Sequence, residues 1–419
     1  MSKLQDFVPG DTAAYATFYG VSALTQGAIR SPFTQLRELL DGIVPGNARP
    51  IDLTIGEPRG TMPDFLARAI AQATAELGRY PPIRGSAALR TAIADWAMRR
   101  FELDVPLDAE REVLVLNGSR EGLHYACLPA VARKPMAPRP AILMCNPYYS
   151  AYLAGALAAG AQAVLLDATA EAGFLPDLEM LGAQEDLLKR TAALFLCSPS
   201  NPQGAVATRG YIRAALDLAR RYDFLLFLDE CYSEIYSASP PPGGLSVGAA
   251  TAERFANLVV FNSLSKRSSL PGLRSGFCAG DAAFLASYAE IRNMCAPQVS
   301  GTLQHVSVAA WSDEAHVEAA RATYRAKFDL ADRLLTGRLG YRRPSGGFCL
   351  WLDMSQFGGG ANAAVTLWKS FGVKVLPGAF LGQPGIAGRN PGANYVRVAL
   401  VEPADVIEEA LQRIVQCFA

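Results

Sequence analysis

Residues Asn257-Leu-Val-Val-Phe-Asn-Ser-Leu-Ser-Lys266 decide the reading of this chain: an apolar run ends on a lysine in a Ser-rich loop, and Arg274 follows in Leu270-Pro-Gly-Leu-Arg274-Ser-Gly-Phe277. The stretch from Leu258 to Phe261 has the length and β-branched content of an interior parallel strand. Lys266 therefore stands at a strand exit, where open α/β sheets place ligands. Partial burial disfavours the ammonium, and a neutral amine is the nucleophile that attacks a carbonyl carbon. Taken alone, Lys266-Arg267 reads more simply as a solvated cationic pair on a loop.

Three other stretches change that balance. Asp229 ends Phe224-Leu-Leu-Phe-Leu-Asp229-Glu-Cys-Tyr232, a run apolar enough for a buried strand, with the carboxylate at its C-terminal edge. An unpaired buried carboxylate is costly, so it must meet a cation or a proton donor. A protonated pyridine nitrogen meets that need, and a helix N-cap is the plainer alternative. Leu194-Phe-Leu-Cys-Ser-Pro-Ser-Asn201-Pro202-Gln-Gly204 is another short strand entering a turn. An Asn before Pro is biased to extended backbone, which lets the Asn201 amide project across the sheet edge toward a ring hydroxyl, although Asn-Pro-x-Gly is also a common β-turn. Val113-Leu-Val-Leu-Asn-Gly118-Ser119-Arg120 turns a strand through Gly118 into a helical pattern. The first amides of that helix, from Ser119 and Arg120, point at an anion. An amine, a charge for a ring nitrogen and a phosphate cup are what an aldehyde cofactor such as pyridoxal phosphate requires.

Those stretches, together with Gly56 in Thr-Ile-Gly56-Glu-Pro, Tyr80 before Pro-Pro-Ile-Arg-Gly85, Asn146-Pro-Tyr-Tyr149-Ser-Ala-Tyr152 and Tyr395-Val-Arg397-Val, resemble the class I/II aminotransferases over roughly residues 50 to 400. Asn262 to Phe277, Trp311-Ser-Asp-Glu-Ala-His-Val317 and Tyr324-Arg-Ala-Lys-Phe328 look more narrowly like the proteobacterial succinyldiaminopimelate aminotransferases of lysine and peptidoglycan-precursor synthesis. Ser269, Gln203 and Cys349 depart from the pattern of that narrower family.

The resemblance implies a pyridoxal-phosphate-dependent homodimer of fold type I. Its substrates would be N-succinyl-LL-2,6-diaminopimelate and the glutamate/2-oxoglutarate pair. It also implies roles. Lys266 would bond the cofactor and then move the proton from the substrate α-carbon. Asp229 would pair with the ring nitrogen, Asn201 and Tyr232 would hydrogen-bond the ring oxygen, and Tyr149 would stack on the ring. The phosphate would be held by Ser119, Arg120, Ser263 and Arg274, with Tyr80 reaching in from the second subunit. Arg397 would clamp the substrate α-carboxylate bidentately, on a substrate side lined by Gly56 and Asn201. Arg292 is a candidate partner for a distal carboxylate, with a solvated helix face as the alternative. The same constellation suits an aminotransferase for aspartate, alanine or aromatic acids, or a β-elimination lyase. A regulator carrying this domain as a sensor needs a basic winged-helix segment before residue 50, and the arm is too short for one.

The remaining features agree with a metabolic enzyme. With 39 basic against 39 acidic residues and three histidines, there is no electrostatic footprint for nucleic acid or an anionic membrane. No stretch approaches the run of about 20 apolar residues that a membrane span needs. Eight cysteines contain no C-x-x-C pair, which argues for reduced thiols and against zinc. The start Met1-Ser-Lys-Leu-Gln-Asp-Phe lacks a signal-peptide core, so a cytoplasmic location is expected. Residues 1–50 read as an N-terminal arm and linker and as part of the small domain. Residues 51–285 alternate strand and helix, as a large α/β domain with a mostly parallel seven-stranded sheet requires, and 286–419 read as a smaller α+β domain.

Overall fold

The computed structural model describes residues 15–20, 22–25, 29–385 and 388–418. Its strands are, in chain order, β1 (Ala16–Tyr19), β2 (Ile51–Asp52), β3 (Val113–Leu116), β4 (Ala141–Asn146), β5 (Gln162–Asp167), β6 (Thr191–Cys197) and β7 (Leu225–Asp229). They continue with β8 (Leu258–Ser263), β9 (Gly276–Gly280), β10 (Cys349–Asp353), β11 (Val373–Lys374), β12 (Leu376–Pro377) and β13 (Tyr395–Ala399). The large sheet has the order β1-β5-β4-β6-β7-β8-β9-β3. Strands β5, β4, β6, β7 and β8 run parallel, while β9 is antiparallel to β8 and β3. Seven of these strands are those of the expected sheet. The eighth, β1, lies in the presumed arm and pairs antiparallel with β5, covering backbone groups that an edge strand otherwise leaves open.

Helices cover both faces, and this is why the central strands are apolar without alternation. Every residue of β7 and β8 is buried. Leu226, Leu228 and Val260 face one core with Trp96 and Trp311. Phe195, Phe227 and Phe261 face the other, with ring centres 5.0 and 5.4 Å apart along the row.

The register brings the chemistry to one edge. Cys197 lies opposite Asp229, Asp229 opposite Phe261, and Gly276 lies between Ser263 and Leu116. The ends of β6, β7, β8 and β3 therefore form a common rim, at the carboxyl side where such sheets bind ligands.

The smaller sheet, β10-β13-β12, packs Leu350 and Val398 against Phe328 and Leu411 of its helices. Two segments fall on the other side of the expected boundaries. Residues 51–53 pair with β11 and with the smaller core. The helix Gly301–Ser312 buries Trp311 against Trp96 and Phe277, 4.7 and 5.2 Å away, in the larger one. In both cases apolar burial sets the partner. Among the described residues no helix is long and apolar enough to cross a membrane.

Candidate active site

Lys266 follows β8 within the short helix Leu264–Arg267. Its Nζ donates to the Gly56 carbonyl at 2.5 Å and lies 5.4 Å from the centre of the Phe348 ring. Burial pushes its pKa down to about 8, the condition a nucleophilic amine needs near neutrality.

Asp229 is 5% exposed. Its carboxylate accepts the Tyr152 hydroxyl at 2.6 Å and the Cys231 amide at 3.1 Å. Burial raises its pKa, and it enters none of the ion pairs among the described residues. Tyr152 is held by stacking on Phe195 at 4.4 Å and 6°. It stands three residues after Tyr149, on the same helix face. Sequence alone assigns Tyr152 no role, and its three-residue spacing from Tyr149 is the signal that marks it.

Arg397 pairs across the smaller sheet with Trp351 and Leu376 and is 5% exposed. Its guanidinium donates to Asn201 Oδ1 at 3.1 Å and to the Thr54 carbonyl at 2.6 Å, while Nε is buried without a partner. No carboxylate meets it among the described residues. Asn201 and Arg397, 196 positions apart, thus lie in direct contact, and Thr54 joins them unforeseen. Tyr232 packs edge-on to Phe348 at 5.3 Å, and burial lifts its hydroxyl well above the usual range.

Gly118 (φ 79°, ψ 158°) precedes the helix Ser119–Tyr125. A Cβ there would lie 2.2 Å from Arg274 Nη2, so the missing side chain is what admits the guanidinium over the helix start. Arg274 also donates to the Pro271 carbonyl at 2.7 Å. Ser263 Oγ lies 2.9 Å from Ser265 Oγ and 3.1 Å from the Ser275 carbonyl. Arg120 Nε donates to the Tyr149 hydroxyl at 2.5 Å.

Two expected residues stand apart. Arg292 neither faces solvent nor remains open to a substrate carboxylate. It is 1% exposed, paired with Glu121, and donates to the Pro297 carbonyl at 3.2 Å. Glu121 is itself largely buried, with burial raising its pKa, and a carboxylate in that position holds its counter-charge. Tyr80 is 99% exposed and makes no contact with the rim within this chain.

Three charged groups of the rim, buried Asp229 and Arg397 and exposed Arg274, suit one ligand. A carboxylate without a cation fits a protonated ring nitrogen, a guanidinium without an anion fits a substrate carboxylate, and a second guanidinium over a glycine-lined helix start fits a phosphate. These residues fit pyridoxal phosphate, which when bound supplies an aldehyde for the amine and a cationic ring that withdraws electrons from the substrate α-carbon.

Comparison with known proteins agrees. Residues 48–414 match the aminotransferase class I and II family. The LL-diaminopimelate aminotransferase of Desulforudis audaxviator is 32% identical over 376 residues, 88% of this chain and 90% of that protein. The 4-dedimethylamino-4-oxo-anhydrotetracycline transaminase of Streptomyces rimosus is 32% identical, over 87% and 92% of the two chains. A solved aminotransferase from Neisseria meningitidis is 35% identical, with a TM-score of 0.89 over 95% of this chain and all of that one. The chain belongs to the class I and II aminotransferases and takes pyridoxal phosphate as its cofactor.

Proposed function

We propose that this aminotransferase acts on N-succinyl-LL-2,6-diaminopimelate with the glutamate/2-oxoglutarate pair. The observation that carries the α-amino-acid part is Arg397, a buried guanidinium with two neutral acceptors and a free Nε, which suits a bidentate grip on an α-carboxylate. That grip holds the Cα–H bond where Lys266, as a neutral amine, can take and return its proton. Asn201 gives its carbonyl oxygen to Arg397, which leaves its amide as the donor for a ring hydroxyl shared with Tyr232. Asp229 keeps the ring nitrogen protonated. Ser119, Arg120, Ser263 and Arg274 hold the phosphate, and Tyr149 covers the ring.

The succinyl group rests on the stretches Asn262 to Phe277 and Trp311 to Val317. Unacylated LL-diaminopimelate is the second reading, favoured by the names of several relatives about 30% identical. The reading extends to a cytoplasmic homodimer in which Tyr80, exposed in the single chain, reaches the partner's phosphate cup.

Single-turnover spectra of the holoenzyme with glutamate, LL-diaminopimelate, its N-succinyl derivative and alanine test the substrate. The reading expects glutamate and the succinyl compound to convert the cofactor fastest. If the succinyl compound proves no better a donor than alanine, that assignment fails. If the unacylated compound is preferred, the second reading replaces it.

A further inference from the structure

Behind the Lys266 turn, Asp313, His316 and Ser268 form a continuous hydrogen-bonded chain that the reaction as described does not use. His316 Nδ1 lies 2.5 Å from Asp313 Oδ1, and Nε2 lies 2.8 Å from Ser268 Oγ. Asp313 also accepts the His316 backbone amide at 3.0 Å, and Arg267 Nη1 donates to Ser268 Oγ at 3.1 Å.

With His316 neutral, donors and acceptors leave one consistent order. Arginine only donates and a carboxylate only accepts. The imidazole therefore donates from Nδ1 to Asp313, and Nε2 accepts the Ser268 proton, while Ser268 Oγ accepts from Arg267. Ser268 is 3% exposed, closed to any substrate, so the chain orients and does not attack.

What it orients follows from its ends. Ser268 lies two residues after Lys266, and its amide donates to the Leu264 carbonyl at 3.1 Å, closing the turn that carries the lysine. His316 lies in the first turn of the helix Ala315–Leu335, which sends Tyr324 and Phe328 into the smaller core. Phe65 packs on the imidazole at 5.7 Å. Gly60 lies close against Ser269 of the same turn, where a Cβ on it would be 3.1 Å away.

We propose that Asp313, His316 and Ser268 are positioning residues for Lys266, fixing the lysine turn to the start of the small-domain helix while His316 is neutral. This rests on Lys266 as the reactive amine, which Lys266→Ala tests separately.

The groups facing His316 are Asp313 and Glu314 from its own segment, Arg267 from the lysine turn and the apolar Phe65. Burial is the largest influence and disfavours the imidazolium, Arg267 acts the same way, and Asp313 and Glu314 oppose them; the net direction is down. Protonation makes both ring nitrogens donors. Ser268 Oγ can accept from both Nε2 and Arg267, but its own proton, in a side chain 3% exposed, loses the imidazole acceptor, so the bond to His316 reverses and the serine rotor is released from it as pH falls through a value below the ordinary histidine range.

The test uses holoenzyme of the wild type, Ser268→Ala, Ser268→Thr and His316→Gln. It follows kcat and KM for glutamate and the absorbance of the bound cofactor from about pH 5 to 9. Ser268→Ala and His316→Gln are expected to lower kcat by about 10- to 100-fold with KM within about twofold. Both should abolish an acid limb present in the wild type, and Ser268→Thr, which keeps the hydroxyl, should restore it. In the cofactor-free protein, NMR titration of His316, one of three histidines, should show a neutral ring protonated at Nδ1 and an altered midpoint in Ser268→Ala. Variant profiles that superimpose on the wild type overturn the proposal, as does a lower melting temperature with an unchanged pH profile. If His316→Gln does not fold, the Ala/Thr pair at Ser268 decides alone.

Discussion

Gly118→Ala separates the structural from the functional demand on one atom. The backbone at Gly118 (φ 79°, ψ 158°) lies in a region essentially reserved for glycine, and forcing another residue there costs about 1–3 kcal/mol. The added Cβ would also lie 2.2 Å from Arg274 Nη2 and 2.8 Å from its Cζ. Those atoms are the far end of a flexible side chain, so the guanidinium swings aside before the fold gives way. Losing one charge-assisted phosphate contact costs about 1.5–3 kcal/mol, which at about 1.4 kcal/mol per decade is roughly 10- to 150-fold in cofactor affinity.

The assay is titration of cofactor-free protein with pyridoxal phosphate, beside thermal melts of the same samples. Arg274→Gln should weaken binding to a similar degree without the backbone penalty. Because both changes act through one guanidinium, the double variant should bind about as weakly as Arg274→Gln alone. Additive losses, or an affinity for Gly118→Ala within about twofold of wild type, would refute the reasoning.

Lys266→Ala should still bind cofactor while turnover falls by at least about 10²- to 10⁴-fold; activity above a few per cent of wild type removes Lys266 from its role. Tyr152→Phe takes from Asp229 a hydrogen bond that favours its ionised form. In the cofactor-free protein the carboxyl pKa, already raised, rises further, so the acid-side loss of pyridoxal phosphate binding should move to higher pH, and an unmoved loss counts against the contact. Arg397→Lys replaces a planar fork with a point charge, and kcat/KM should fall for every amino donor alike; an unchanged value for glutamate sinks the clamp. In the cofactor-free protein, the Lys266 amine should condense with pyridoxal phosphate at a rate that rises with pH through about 8 and then levels. A rise delayed to the ordinary lysine range would mean that the amine is not depressed.

The parts of this molecule that local pattern controls could be read from the chain. Apolar runs of five or six residues ending in Asp229 and Ser263 have few folded alternatives in a chain where strand and helix alternate. Gly118 before Ser119 likewise announces a turn into a helix. The features that no local pattern announces depend on partners far away in sequence. The strand β1 pairs with β5 across more than 140 residues, with only four residues of its own to announce it. Arg292 lies on a helix whose neighbour carries Glu121, 171 positions earlier, and no local signal tells a buried paired arginine from an open one. The chain Asp313, His316 and Ser268 spans 48 positions for the same reason.

The charges explain why these orphans gather at one rim. Elsewhere, the buried arginines find anions: Arg267 meets Glu314, Arg292 meets Glu121, and Arg321 meets Glu234. Asp229 ends a strand of the large sheet, Arg397 stands midway along β13 of the smaller one, and the two do not pair with each other. Satisfying either internally would remove the group that the cofactor or substrate must meet, whereas leaving both open stores a desolvation cost that a bound ligand relieves. A rule of packing obeyed at the other buried arginines and broken at this rim is what a binding site is expected to look like. Lys266 shares the cause: the burial that strands Asp229 and Arg397 also strips its ammonium of water, so one dry edge supplies an amine that can attack and two charges waiting for counterparts.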